Sequence, residues 1–114
     1  MIVGKLVVGG RAVAECERTI TFGERLKGLI GRRDLDGAMW FEPANGVHTM
    51  FMRFPIEVAF LDARGNVVRV TRVRRWHTGV SMRKARSVVE AQIGQFEKWG
   101  IAVGSVVAFA SNRE

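Results

Sequence analysis

The 114 residues carry 18 Lys and Arg against 11 Asp and Glu, a formal net charge of +7 and a pI of about 11.0, with a single cysteine. One cysteine excludes an internal disulfide and a thiolate cluster for zinc or iron–sulfur, and no run reaches the ~20 apolar residues of a membrane-spanning helix. The length is that of one domain over residues 1–114, enough to bury roughly two thirds of the surface of the unfolded chain.

The excess of positive charge favours an anionic partner or serves solubility alone. Its distribution is uneven. Arg69, Arg72, Arg74, Arg75, Arg83, Lys84 and Arg86 fall in one 18-residue window that contains no acid. The first residues, Met1–Lys5, lack an apolar stretch followed by a small-residue cleavage site, which makes the cytoplasm the expected location.

In chain order, Ile2–Val8 and Arg11–Glu17 read as two strands around a Gly9-Gly10 turn, with Gly4 weakening the first. Thr21-Phe22-Gly23-Glu24 fits a capping box, and a short helix is expected through Leu26, Leu29 and Ile30, closed by Gly31. Arg32–Glu42 reads as a loop and then a short apolar segment, Ala38–Phe41, broken by Pro43, Asn45 and Gly46. Ile56–Leu61 is apolar on both faces of a period-two pattern and therefore a central strand. Asp62–Asn66 turns the chain into Val67–Val73, the clearest hairpin in the sequence. Arg74–Ser87 has no periodicity and reads as a long loop. Ser87–Gln92 is a further strand, Gln95–Trp99 one helical turn ended by Gly100, and Ser105–Ala110 the closing strand. This count of six or seven strands implies a mainly β fold, an antiparallel sandwich or partly open barrel with short helical insertions.

Four blocks carry a resemblance: Arg25–Arg32, His48–Asp62, Gly65–Val68 and Val88–Gly94. In order and spacing they resemble the DUF192 family of small domains of unknown function. The resemblance implies a compact, mainly antiparallel β domain of jelly-roll-like topology and no known substrate. Two positions depart from the family pattern. Ile30 stands where a methionine is usual, and Glu57 where an aspartate is usual, which moves that carboxylate outward by one methylene.

His48, Arg53, Glu57 and Glu90 punctuate otherwise apolar blocks. A buried carboxylate among them needs a cation or several donors, so the four are the candidate ligand-binding residues. His48 and His77 are the only histidines, with no metal-ligand spacing, and no metal is expected. Cys16 lies beside Glu15 and Glu17, which discourage a thiolate, and no G-x-S-x-G elbow or nucleotide-binding glycine pattern is present. No catalytic residue and no cofactor are therefore expected, and whether the protein is an enzyme stays open. The leading expectation is a noncatalytic domain binding a small polar ligand or a protein segment. The alternative is a nucleic-acid-binding accessory protein in which Arg72, Arg74, Arg75, Arg83, Lys84 and Arg86 contact phosphates and Trp76 stacks on a base. A hydrolase-like or metal-dependent enzyme is the remaining alternative.

Overall fold

The computed structural model describes residues 2–19, 36–47, 54–77 and 79–112. The capping box at Thr21 and the helix through Leu26, and with them His48 and Arg53, lie outside these residues.

The chain starts with β1 (Ile2–Val8) and β2 (Arg11–Thr19), an antiparallel pair. Gly9 and Gly10, at φ 59° and 81°, make the two-residue turn, a conformation that side chains with a Cβ resist. Next come β3 (Ala38–Phe41), β4 (Gly46–Val47), β5 (Ile56–Leu61) and β6 (Val67–Val73). β7 (Val80–Ser81), β8 (Ser87–Gln92), the helical turn α1 (Gln95–Trp99) and β9 (Val107–Ser111) follow among the described residues.

Seven strands form one sheet in the order β6-β5-β8-β3-β2-β1-β9, and β4 pairs with β7 in a separate ribbon. The class is mainly β, as expected. The sheet is mixed, because β2 and β3 run parallel. A parallel pair needs a crossover of a dozen residues or more, and residues 20–37 supply that length.

The two outermost strands approach each other. Val67 donates its N–H to Ser105 at 2.8 Å and accepts from Gly104 at 2.9 Å, Val107 donates to Gly65 at 2.8 Å, and Asn66 bridges Val106. The sheet thus curls into a barrel closed at one end of the seam. Two glycines permit it. A Cβ on Gly4 would lie 2.2 Å from the carbonyl oxygen of Ala110 in β9, and one on Gly65 would lie 2.5 Å from that of Val107. Gly4 therefore admits the neighbouring strand.

Because cross-strand partners share a face, the register sorts the core into two layers. Leu6, Cys16, Ala38, Trp40, Ala59, Leu61, Val89 and Ala91 fill the barrel, joined by Phe96, Trp99 and Ile101 from α1 and the turn after it. Met39, Phe41, Ile56, Val58, Phe60 and Val88 form a second cluster on the outer face, covered by Phe54, Val80, Met82 and Ala85. This double burial explains why β5 is apolar throughout, as expected of a central strand.

Candidate functional site

Of the four polar candidates, the described residues include Glu57 and Glu90. Glu57 pairs with Ala91 and Arg72, whereas Glu90 pairs with Val58 and Met39. The register therefore places the carboxylates on opposite faces of the sheet, Glu57 toward the barrel and Glu90 toward the outer cluster. They do not share one pocket. Side-chain alternation within β5 and β8 decides this, and sequence spacing alone carries no register between them.

Glu57 is nearly buried and accepts the Phe96 N–H at 3.0 Å. Gly94, the residue before α1, contributes no side-chain cap, so a carboxylate from a strand 39 positions away satisfies this helix-start donor. Arg72 approaches the other oxygen of Glu57 at 3.5 Å, with 70% of its side chain exposed. Both groups border an open groove of about 810 Å³ between β6 and the Gly100–Ala102 turn. Glu90, in contrast, is fully enclosed at 1% exposure.

The arginine-rich window is ordered by its apolar positions. Val80, Met82 and Ala85 pack on the outer cluster, and the residues between them, Ser81, Arg83 and Lys84, face solvent. Met82 donates to the Asn45 carbonyl at 2.7 Å and Ala44 to that of Arg86 at 2.9 Å, which ties the segment to the β4 side. The expected long loop therefore contains β7. Arg69, from the outward face of β6, lies over the Phe60 ring at 5.7 Å and donates to the Ser81 carbonyl.

Between β6 and β7 the chain turns through Arg74, Arg75 and Trp76, all exposed. Trp76 has φ 58°, a conformation that a bulky residue rarely adopts, and its side chain is 54% exposed. His77 accepts the Gly79 N–H on Nδ1 at 3.0 Å, which leaves Nε2 as the protonated nitrogen of the neutral ring. Arg72 is turned to Glu57 and Arg86 to Glu42 at 3.8 Å. Arg69, Arg74, Arg75, Arg83 and Lys84 are exposed basic side chains around β7 and the preceding turn.

A further cluster escaped the sequence reading. Trp40 donates its indole N–H to Glu42 at 2.9 Å, and Arg18 and Arg86 approach the same carboxylate. The available signal was period two: Trp40 and Glu42 share a face of an extended chain. Arg18 joins them only through the parallel β2–β3 register, which puts it beside Trp40. Among the described residues, no group of three His, Cys, Asp or Glu side chains could hold a metal ion, and no helix is long and apolar enough to cross a membrane. Cys16 is buried, and burial, with Glu17 adding to it, pushes its pKa up to about 12.

The profile of the family DUF192, described as "Uncharacterized ACR", matches residues 5–109. A UPF0127 protein of Pyrococcus furiosus is 38% identical over 58 residues, 51% of this chain and 50% of its own length. One from Pyrococcus abyssi is 36% identical over 61 residues, 54% of this chain and 52% of its own. These matches span about half the length of the curated relatives. A third, from Thermococcus sibiricus, is 26% identical across 97% of this chain and 73% of its own length. Among solved structures, a protein of unknown function from Novosphingobium aromaticivorans superposes with a TM-score of 0.77 at 20% identity, over 93% of this chain and 84% of that one. A putative transcription regulator from Sinorhizobium meliloti gives 0.76 at 18% identity, over 95% and 92%. At such identities the likeness establishes the fold alone.

Proposed function

The chain belongs to the DUF192 family of uncharacterised proteins, and within it we propose a noncatalytic, cytoplasmic single-domain protein that holds single-stranded nucleic acid on its arginine-rich face. The observation that carries this reading is Trp76, a half-exposed indole in the left-handed region between two exposed arginines and His77. Holding a tryptophan there costs about 1–3 kcal/mol of backbone strain, and about half of the side chain still faces water. An exposed ring among cations is what a strand of unpaired bases requires: phosphates meet the arginines and a base stacks on the indole.

The charge supports the same partner. Arg69, Arg74, Arg75, Arg83 and Lys84 sit on the outer side of the sheet or on the turns above it, and no Asp or Glu occurs in sequence between Asp62 and Glu90. Arginine predominates, and its planar guanidinium both binds phosphate bidentately and stacks on bases. A small polar ligand held jointly by His48, Arg53, Glu57 and Glu90 is the weaker reading. The Glu57 carboxylate is engaged by the Phe96 amide and faces away from Glu90.

The test is fluorescence anisotropy with labelled oligo-dT and oligo-U at low salt, comparing the wild type with Trp76→Ala and Trp76→Phe. Loss of one stacked base weakens binding by about 1–3 kcal/mol in Trp76→Ala, and Trp76→Phe recovers part of it. Equal affinity of Trp76→Ala and wild type, or no binding at low salt, rejects the proposal.

A further inference from the structure

The seam between β6 and the last part of the chain is closed at one end only. Val67 bonds to Ser105 and Gly104, and Asn66 bridges Val106, but among the described residues no main-chain hydrogen bond leaves residues 68–73 on the side away from β5. Alternate residues of a strand direct N–H and C=O to each edge, so β6 keeps a row of donors and acceptors facing the gap. The open groove of about 810 Å³ runs along that row. It touches Val70, Thr71 and Arg72 in succession, whose side chains alternate between the two faces of the sheet, and a space at the strand's edge is what meets all three. Gly100, Ile101 and Ala102 form the opposite wall.

Inside the groove the side-chain charges answer each other. Glu57 accepts the Phe96 N–H at 3.0 Å and faces Arg72 at 3.5 Å. What the groove offers a partner is therefore main chain and apolar surface, the β6 edge on one side and Val70 and Ile101 on the side toward the barrel. Hydrogen-bonding groups at strand spacing are matched by another extended main chain, and the closed end of the same seam is already held by bonds of that kind.

We propose that this edge takes an extended segment of another protein as an added strand. Its alternate side chains are apolar and turn toward Val70 and Ile101, and those between them are acidic and lie beside Arg69 on the outward face. The charge on β6 selects this occupant. The strand carries Arg69 and Arg72 and no acid, so outward carboxylates gain cross-strand ion pairs, whereas β6 of a second copy would gather the arginines of both strands on one ribbon. Glu97, exposed at the α1 side of the groove, disfavours acid on the inward face. Of the residues named for nucleic acid, the added strand uses Arg69 alone.

The probe is a blocked peptide of alternating glutamate and valine, as long as β6, added to ¹⁵N-labelled protein with amide hydrogen exchange as the readout. In the free protein, alternate amides of residues 68–73 exchange faster than their neighbours bonded to β5, and the peptide slows at least one of them about tenfold or more. Two N-methylated forms of the peptide, one methylated on every glutamate and one on every valine, keep all the side chains. Only one set of peptide N–H groups points at β6, so one form binds about tenfold more weakly than the other. Ala102→Trp, which fills the groove from its exposed wall, weakens binding of the parent peptide about tenfold or more, and the Trp99 indole resonance shows whether the variant is folded. If it is not, the N-methylated pair carries the comparison. The proposal is overturned by no slowing of these amides at ~5 mM peptide, by equal affinity of the two N-methylated forms, or by wild-type affinity in folded Ala102→Trp. Protection of the same amides that rises with protein concentration without peptide would make a second copy the occupant, and overturns it too.

Discussion

Replacing Glu57 with alanine removes the carboxylate that starts α1 from across the barrel. The side chain is 7% exposed, and its bond to the Phe96 amide is 3.0 Å long. A buried hydrogen bond to a charged group contributes about 1.5–3 kcal/mol, and truncation also leaves the Phe96 N–H without its acceptor and a void beneath it. We expect Glu57→Ala to cost about 2–4 kcal/mol, a fall in Tm of about 8–16 °C at ~4 °C per kcal/mol for a domain of this length. Glu57→Gln keeps an oxygen for the amide and should lose about 1 kcal/mol. Arg72→Ala should lose less than about 1 kcal/mol, because its guanidinium is mostly solvated and the pair is screened. Urea denaturation followed by far-UV circular dichroism measures all three. If Glu57→Ala lies within ~0.5 kcal/mol of wild type, or Arg72→Ala costs as much as Glu57→Ala, the capping account is wrong.

Gly4→Ala forces a methyl to within 2.2 Å of the Ala110 carbonyl. It should destabilise by about 1–3 kcal/mol in the same denaturation experiment, and wild-type stability would mean that β9 does not close on β1 there. The Cys16 thiol, raised from 9.0 to about 12 by burial first and by Glu17 second, contributes stability that is fully present below pH 9 and lost as the pH rises toward 12. Cys16→Ala should flatten that alkaline loss, and the wild-type thiol should react with a disulfide reagent at pH 8 only on unfolding. Asp62 has its pKa lowered below 3.8, chiefly by the Asn66 amide, so its contribution is present above pH 3.8 and lost as the pH falls through the folded value. Asp62→Asn should reduce the acid dependence of stability, and an unchanged acid limb would show that the turn does not depend on that charge.

Local patterns made much of the fold legible. Gly9-Gly10, the apolar run Ile56–Leu61 and the Asp62–Asn66 turn each specify their element within a few residues, and all three appear as expected. Contacts set by register were not legible. The parallel β2–β3 pairing brings Arg18 to Trp40, and nothing in either segment encodes the partner or the direction. The β4–β7 ribbon, two residues in each strand, is too short to carry a period. Glu57 and Glu90 stood out because charge in an apolar strand is costly, yet which face each takes depends on the alternation within its own strand and the alignment of one strand with the other. Arg74–Ser87 looked irregular because its anchors, Val80, Met82 and Ala85, are spaced two and three apart, neither a strand nor a helix period.

The salt dependence of oligo-dT binding tests the proposed function most directly. If Arg69, Arg74, Arg75, Arg83 and Lys84 each neutralise a phosphate, log K should fall against log salt with a slope of about −3 to −3.5, at ~0.7 per contact on a single strand. Replacing Arg74 and Arg75 together by alanine should bring the slope about 1.4 units closer to zero, and Arg72→Ala should leave it unchanged. A wild-type slope near zero, or one that the double replacement does not alter, would contradict the account.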